Sequence, residues 1–314
     1  MPLALCCVSH SPLLELPGTP SDLVDEVGAA LEEAAAFVRG WDPELVVIFS
    51  PDHYNGFFYK EMPPFCLGTE AHSVGDFGCA GGQLSVDAEA AKALAQGVLN
   101  RGVDLTISAR MTVDHGFAQP LEALFDGIDR VPVVPIFVNG VATPLCPMSR
   151  IRALGTAVGQ AAAQLDRRVL FLGSGGLSHD PPVPVLDGAP PKVADALIEG
   201  HPPTPEQRSR GEGRVIQAGH DYAAGSTTMI PINPAWDNQL LDLLEQGKLH
   251  EFDNWTVEEM AAEGGGSAHE VRSWIAAFAS LAASGSYRMN CRFYEAIPAW
   301  IAGFAVATAQ HTDG

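Results

Sequence analysis

Four histidines stand after apolar runs that are typical of buried strands, where an imidazole can bind a metal or move a proton. His10, His53, His115 and His179 follow the runs at 3–8, 45–49, 105–108 and 168–172. In open α/β sheets, ligands bind outside the carboxyl ends of the strands. If these strands are parallel, we expect the four imidazoles to meet at one edge of the sheet.

Each of these features also has an ordinary explanation, because a single His after a strand is more often a turn residue than a ligand. The glycines ahead of His179, which are Gly173, Gly175 and Gly176, leave two alternatives open. They could permit positive φ angles in a tight loop. They could also form a phosphate-binding nest, although no GxGxxG or P-loop pattern accompanies them.

A facial metal site needs a carboxylate beside two imidazoles. The candidate acids are Asp52, Asp114, Asp180, Glu263 and Glu270. Asp52 and Asp114 each precede a His, and neighbouring residues on an extended segment point apart. Glu270 lies near the start of a predicted helix, where Ser267-x-x-Glu270 also fits a capping box. Local sequence alone favours the cap.

Composition narrows the classes of partner. The formal net charge is -20, with only 18 Lys and Arg residues, which argues against nucleic acid or an anionic membrane surface. The chain has no run of about 18 apolar residues and no basic segment before its apolar N-terminus, so we expect a cytoplasmic protein. The six cysteines form no CxxC motif, and free, buried or half-buried thiols are expected.

The elements that must position these side chains alternate between strand-like and helix-like patterns. This alternation favours an α/β fold with a mostly parallel sheet and helices on both faces. We expect a single catalytic domain over 1–314. The two prolines within 131–138 suggest an edge strand or a bulge. The Pro- and Gly-rich stretch at about 181–215 is predicted to be a loop, and a mobile one.

Six segments together resemble a known family. They are HSP at 10–12, PDHYNGFF at 51–58, DHGFAQP at 114–120, FLGSGGLSH at 171–179, NPAWDN at 233–238 and SAHEVRSWIAAF at 267–278. In combination they resemble the class III extradiol catechol dioxygenases, the protocatechuate 4,5-dioxygenase superfamily. The resemblance continues to the C-terminal IPAWIAGF and covers nearly the whole chain.

The resemblance implies a three-layer α/β/α fold and a mononuclear Fe(II) site. His10, His53 and Glu270 would be the iron ligands, which overturns the preference for a helix cap at Glu270. His115 would be the proton donor and His179 the proton acceptor. The family also commonly assembles into homo-oligomers.

The implied reaction opens the ring of a 3-substituted catechol with O2, giving a ring-opened semialdehyde acid. The substrate would be 2,3-dihydroxyphenylpropionate or 2,3-dihydroxycinnamate. Tyr54 and Phe57 beside His53 could wall the ring pocket, or they could pack in the core. The substrate carboxylate calls for a basic group. Lys60, Arg110 and Arg168 are the candidates near the motifs.

Two other classes of function remain open at this stage. A zinc hydrolase could use the same His and Glu ligands, although no HExxH helix is present. A non-enzymatic binding protein on the same scaffold is the other alternative. Loss of a metal ligand or of a proton-carrying His would favour the binding protein, and the sequence contains all of these residues.

Overall fold

The computed structural model describes residues 3–14, 19–201 and 203–312. Its strands are β1 (Leu3–Val8), β2 (Leu45–Ser50), β3 (Phe65–Gly68), β4 (Ala71–Val74), β5 (Gly81–Gln83), β6 (Thr106–Ser108), β7 (Met111–Val113), β8 (Val133–Val138), β9 (Val169–Ser174), β10 (Tyr287–Ile297) and β11 (Ala302–His311). Its helices are α1 (Ser21–Trp41), α2 (Ala88–Leu99), α3 (His115–Phe125), α4 (Met148–Ala162), α5 (Pro191–Glu199), α6 (Pro205–Ala223), α7 (Pro234–Glu245), α8 (Val257–Gly264) and α9 (Val271–Ala282).

The main sheet has eight strands in the order β10-β11-β1-β9-β2-β8-β3-β6. Its central strands β1, β9, β2 and β8 are parallel, while β3 is antiparallel to β8 and β11 is antiparallel to β1. The predicted α/β fold with a mostly parallel central sheet is confirmed. Strands from both halves of the chain belong to this one sheet, which is consistent with a single domain. The single-domain organisation stays a prediction.

Alternate residues of the central strands supply two separate cores. Leu5 and Val47 point to the layer that contains α2, α4 and α9. Cys6 and Ile48 point to the opposite layer, which contains α1 and α3. Full burial of a side chain of this size contributes about 1.5 to 3 kcal/mol. The result is the expected three-layer α/β/α arrangement.

Helices α4 and α9 pack so closely that their backbones touch. A Cβ atom added at Gly155 or Gly159 would overlap the backbone oxygens of Ala276 and Ser280, respectively. The Ser280 hydroxyl also donates a hydrogen bond of 2.9 Å to the carbonyl oxygen of Gly155. This contact fixes α9 against the sheet, and the segment that carries Glu270 leads directly into α9.

Two strand predictions were wrong. Of the two prolines, Pro132 precedes β8 and Pro135 lies within it, and β8 runs inside the sheet between β2 and β3 rather than at an edge. Proline is tolerated there because the ladder with β3 covers only residues 136–138, beyond Pro135. His115 follows β7, which belongs to a separate three-stranded sheet of order β5-β4-β7, and not β6 of the main sheet.

The loop predicted at about 181–215 is largely helical, which corrects the prediction. Residues 191–199 form α5, and residues 205–215 belong to α6. A capping box between Thr204 and Gln207 starts α6, so the helix signal was present despite the many Pro and Gly residues. The mobility of this segment stays a prediction.

The cysteine prediction is confirmed, since all six thiols are free and each is buried or half-buried. Among the described helices, none combines the length and the apolar character that crossing a bilayer requires.

The α4–α9 contact generates a stability prediction. Gly159→Ala should destabilise the fold by about 1 to 3 kcal/mol, because the added methyl must push the two helix backbones apart. Gly28→Ala is the matched control, since Gly28 lies in a helix with no atom within 4 Å of the added Cβ. It should stabilise by about 0.5 to 1 kcal/mol. Urea unfolding measures both, and equal behaviour of the two variants would contradict the packing interpretation.

Candidate metal centre and active site

Three of the four histidines meet because three adjacent strands are parallel. His10, His179 and His53 follow β1, β9 and β2, which are consecutive neighbours in the sheet. His115 joins them from the first turn of α3, and its ring stacks on that of His53 with 4.5 Å between centroids. The predicted convergence at one edge of the sheet is therefore present.

The Glu270 carboxylate lies in the middle of this group. Its Oε1 is 3.1 Å from Nε2 of His53 and 3.1 Å from Nε2 of His179, and its Oε2 is 3.3 Å from Nε2 of His10. The N–H of Gly176 donates a 3.0 Å hydrogen bond to Oε2. Burial alone would raise the pKa of Glu270, but the adjacent imidazoles of His179, His10 and His53 outweigh burial and hold the pKa well below its usual range.

The capping-box alternative for Glu270 is wrong. The side chain of Ser267 makes no cap hydrogen bond, and the Ser267 N–H donates to the carbonyl oxygen of His179. The Glu270 side chain therefore has no cap N–H to accept from. Its oxygens are instead taken up by the imidazoles and by Gly176.

Each imidazole is held through its Nδ1 atom. The partners of Nδ1 are Ser174 Oγ for His10 (2.8 Å), Asp114 Oδ2 for His53 (3.0 Å), Asp76 Oδ2 for His115 (2.6 Å) and the Leu177 carbonyl oxygen for His179 (2.8 Å). A partner of this kind fixes the ring and leaves Nε2 for a metal or a proton. This is the support that metal-binding histidines usually have.

The donor atoms fit a divalent metal ion. His10, His53 and His115 offer nitrogens that lie within 4.8 Å of one another. Two of these imidazoles, His10 and His53, also lie beside the Glu270 carboxylate. Atoms 3.1 to 3.3 Å apart can share one ion with bonds of about 2 Å. Burial lowers the pKa of His10 to about 3, so its ring is neutral and can offer a lone pair.

The remaining candidate acids have other partners. Asp52 accepts hydrogen bonds from the N–H groups of Asn55, Gly56 and Phe57; Asp180 accepts from Ile230 and Gly266; Glu263 accepts from the Asn233 amide. Asp114 caps α3 through Gly116 and also accepts from the backbone N–H of His53. Asp114 therefore orients His53 from behind, while the other three hold loops.

Sequence reasoning missed two buried acids. Asp76 accepts hydrogen bonds from the backbone N–H and the ring of His115, at 2.8 and 2.6 Å. Asp237 accepts from the N–H and hydroxyl of Ser178, at 2.7 and 2.6 Å, and so supports the residue before His179. Asp237 lay inside one of the six motifs. Asp76 is 39 residues from His115, and no spacing rule connects the two.

The glycines before His179 have a packing explanation. Gly175 has φ +155°, and a Cβ at this position would lie 2.8 Å from Cβ of Glu270. A Cβ at Gly176 would lie 2.9 Å from the ring of His179. These residues let the loop approach Glu270 and His179 closely, which accounts for them without a bound phosphate.

A cavity of about 980 Å³ opens onto the group. The four histidines and Glu270 line it together with apolar side chains that include Leu13, Phe77, Val215, Trp300 and Ile301. Tyr54 and Phe57 do not line it, which corrects their assignment to the pocket. Phe57 stacks on Phe137 of the core at 3.8 Å, and Tyr54 stacks on Tyr59 at 6.0 Å.

The basic residues expected near the substrate also lie elsewhere. Lys60 pairs with Glu199 at 2.6 Å, and Arg168 pairs with Asp42 at 2.9 Å. Arg110 does not line the cavity either. Proximity to a motif in sequence did not predict proximity to the site.

Curated relatives match the chain over its full length. A 2,3-dihydroxyphenylpropionate/2,3-dihydroxicinnamic acid 1,2-dioxygenase of Mycolicibacterium smegmatis is 56% identical over 309 residues, which cover 98% of this chain and 99% of the relative. An enzyme of the same name from Rhodococcus jostii is 54% identical, with 100% of each chain covered.

A solved structure supports the fold alone. The crystal structure of uncharacterized protein JW3007 from Escherichia coli K12 aligns with a TM-score of 0.50 and 11% identity, covering 97% of this chain and 98% of that one.

Residues 4–305 match the family described as the catalytic LigB subunit of aromatic ring-opening dioxygenase. The chain therefore belongs to the LigB family of aromatic ring-opening dioxygenases.

Proposed function

We propose that the chain is a non-haem Fe(II) extradiol dioxygenase that opens the ring of 2,3-dihydroxyphenylpropionate or 2,3-dihydroxycinnamate. The observation that carries the proposal is the buried contact of Glu270 with His10 and His53 on the wall of the cavity. Family membership supplies the reaction class, and the names of the relatives supply the substrates.

His10, His53 and Glu270 would hold the iron. Two imidazoles and one carboxylate leave adjacent positions open, as in other non-haem iron oxygenases. When bound, Fe(II) would hold the catechol and O2 side by side and let electron density pass between them. The chain contributes the rest by fixing the rings through Ser174 and Asp114.

His179 is suited to accept a proton from the catechol. Its Nδ1–H can donate to the carbonyl oxygen of Leu177, so the neutral ring carries its lone pair on Nε2. The ring lines the cavity and is nearly buried, with 8% of its surface exposed. A base placed there takes the hydroxyl proton as the diol binds.

His115 is suited to donate a proton. Asp76 accepts a hydrogen bond from Nδ1–H, which holds the ring and leaves Nε2 directed to the reaction. The oxygen that leaves when the O–O bond breaks needs a proton. His115 would supply it while both atoms of O2 enter the product.

The names of the relatives correct one expectation about the product. Cleavage between ring carbons 1 and 2 of a 2,3-dihydroxyphenylpropionate opens the ring at the carbon that bears the side chain. That carbon becomes a ketone, so the product is a ring-opened keto acid and not a semialdehyde acid.

The two rival classes have less support. His and Glu ligands also suit a zinc hydrolase, but the matched family consists of ring-opening dioxygenases. A binding protein without activity would be expected to lack one or more of the metal ligands and proton carriers. In this chain all five line the cavity: His10, His53, His115, His179 and Glu270. The cytoplasmic location and the homo-oligomeric state stay predictions.

The first prediction concerns the ligands. His10→Ala, His53→Ala and Glu270→Ala should each lose most of their iron, because two protein donors hold the ion far less tightly than three. Metal analysis after anaerobic reconstitution measures this. Glu263→Ala is the control and should load normally, since the Glu263 side chain accepts from the Asn233 amide and does not line the cavity. Full iron occupancy and activity in Glu270→Ala would make Asp114 the next candidate.

The second prediction separates proton carriers from ligands. His115→Ala and His179→Ala should keep their iron but turn over about 10²- to 10⁴-fold more slowly. Without His179, the spectrum of the anaerobic catechol complex should show less of the catechol anion. Without His115, that complex should form normally and the defect should appear after O2 is admitted. An iron-free His115 or His179 variant would mean that a ligand has been taken for a proton carrier.

The third prediction tests Asp76. Asp76→Asn should lower kcat by about 10- to 100-fold while iron content stays unchanged, because the ring of His115 loses its charged partner. Asp129→Asn serves as the control, because the Asp129 side chain is 64% exposed and pairs with Arg130 at 3.5 Å. Normal turnover in Asp76→Asn would contradict a role for this acid.

A further inference from the structure

One face of α6 turns basic side chains toward the cavity. The residues of α6 that line it are Gln207, Arg210, Gly211, Arg214 and Val215. Their spacing of three and four residues defines a single helix face. Arg210 and Arg214 lie one turn apart on this face.

The neighbouring helix α5 adds a third cation. Lys192 lines the same cavity beside Val193, Ala196 and Leu197. The whole chain has 18 Lys and Arg residues against 38 Asp and Glu residues. Three cations on one cavity wall are therefore an unusual local concentration of positive charge.

These three cations have no acidic partner among the described residues. The guanidinium of Arg210 makes one hydrogen bond, from Nε to the carbonyl oxygen of Glu206 at 3.1 Å. Arg214 and Lys192 make no side-chain hydrogen bond or ion pair within the described chain. Other arginines of the chain do have acidic partners, as Arg292 has in Asp242 at 2.6 Å and Arg167 has in Asp87 at 2.6 Å.

The acids on the cavity wall are engaged by histidines. Asp76 is bonded to His115, and Glu270 lies among His10, His53 and His179. Neither makes an ion pair with a cation of α5 or α6. A carboxylate brought by a ligand would supply the missing partner, and arginine is well suited to bind it through two parallel hydrogen bonds.

We infer that Arg210 and Arg214, assisted by Lys192, bind the side-chain carboxylate of the catechol substrate. This inference rests on the proposed function. The diol would lie at the end of the cavity that holds the histidines and Glu270, the ring against the apolar wall, and the carboxylate at the basic face of α6. Arg210 and Arg214 then determine specificity for acidic over uncharged catechols.

The test compares two catechols that differ in charge. Wild-type enzyme, Arg210→Met, Arg214→Met and the double variant are assayed with 2,3-dihydroxyphenylpropionate and with 3-propylcatechol. The ratio of kcat/KM for the acid to kcat/KM for 3-propylcatechol should fall about 10- to 100-fold in the double variant, mainly through KM. Arg214→Lys should retain part of the ratio.

Arg208→Met is the matched control, because Arg208 lies on α6 but does not line the cavity. It should leave the ratio unchanged. An unchanged ratio in the double variant, or an equal loss in Arg208→Met, would overturn the inference. In either case, ring opening by the wild-type enzyme would still support the proposed function. Wild-type enzyme that opens neither catechol would instead overturn the proposed function itself.

Discussion

A carboxylate buried beneath the end of a sheet is the constraint on which this structure depends. Glu270 has a side-chain exposure of 2%, and an isolated charge at that depth would cost several kcal/mol. Its compensation comes from imidazoles after β1, β2 and β9 and from the N–H of Gly176. The start of α9 must therefore meet the carboxyl ends of three strands. The glycine contacts between α4 and α9 and the close approach at Gly175 allow that meeting.

The imidazoles are fixed in turn by groups that come from distant parts of the sequence. Asp114 caps α3 and orients His53, so one carboxylate joins a helix start to a ring. The Ser174 hydroxyl lies beside Nδ1 of His10 and donates to the carbonyl oxygen of Gly116. Such a network holds its rings before any ligand arrives, which spares the reaction the cost of ordering them.

The parallel strands and the placement of the histidines could be predicted from the sequence, because both depend on local patterns of apolar and polar residues. Contacts between segments that are distant in the sequence and linked by no motif could not be predicted in this way. Asp76 reaches His115 across 39 residues, and its flanking glycines indicate only a turn. Local rules also misassigned Glu270 to a cap and β8 to an edge, since tertiary neighbours decide both. The helix α6 was missed for another reason: its capping box was visible, but prolines and glycines around it indicated a loop.

The place of β1 in the sheet has a consequence for how the protein is made. β1 lies between β9 and β11, so during synthesis this strand waits for residues 169–174 and then for residues 302–311. The wait from β1 to β11 covers about 300 residues and at ordinary rates of translation lasts on the order of 15 to 60 s. Throughout it a fully apolar strand has at least one unpaired edge, which is the kind of segment that chaperones recognise and that aggregates when they are absent. His10 follows that strand, so its position beside Glu270 depends on strands that are made much later in the chain.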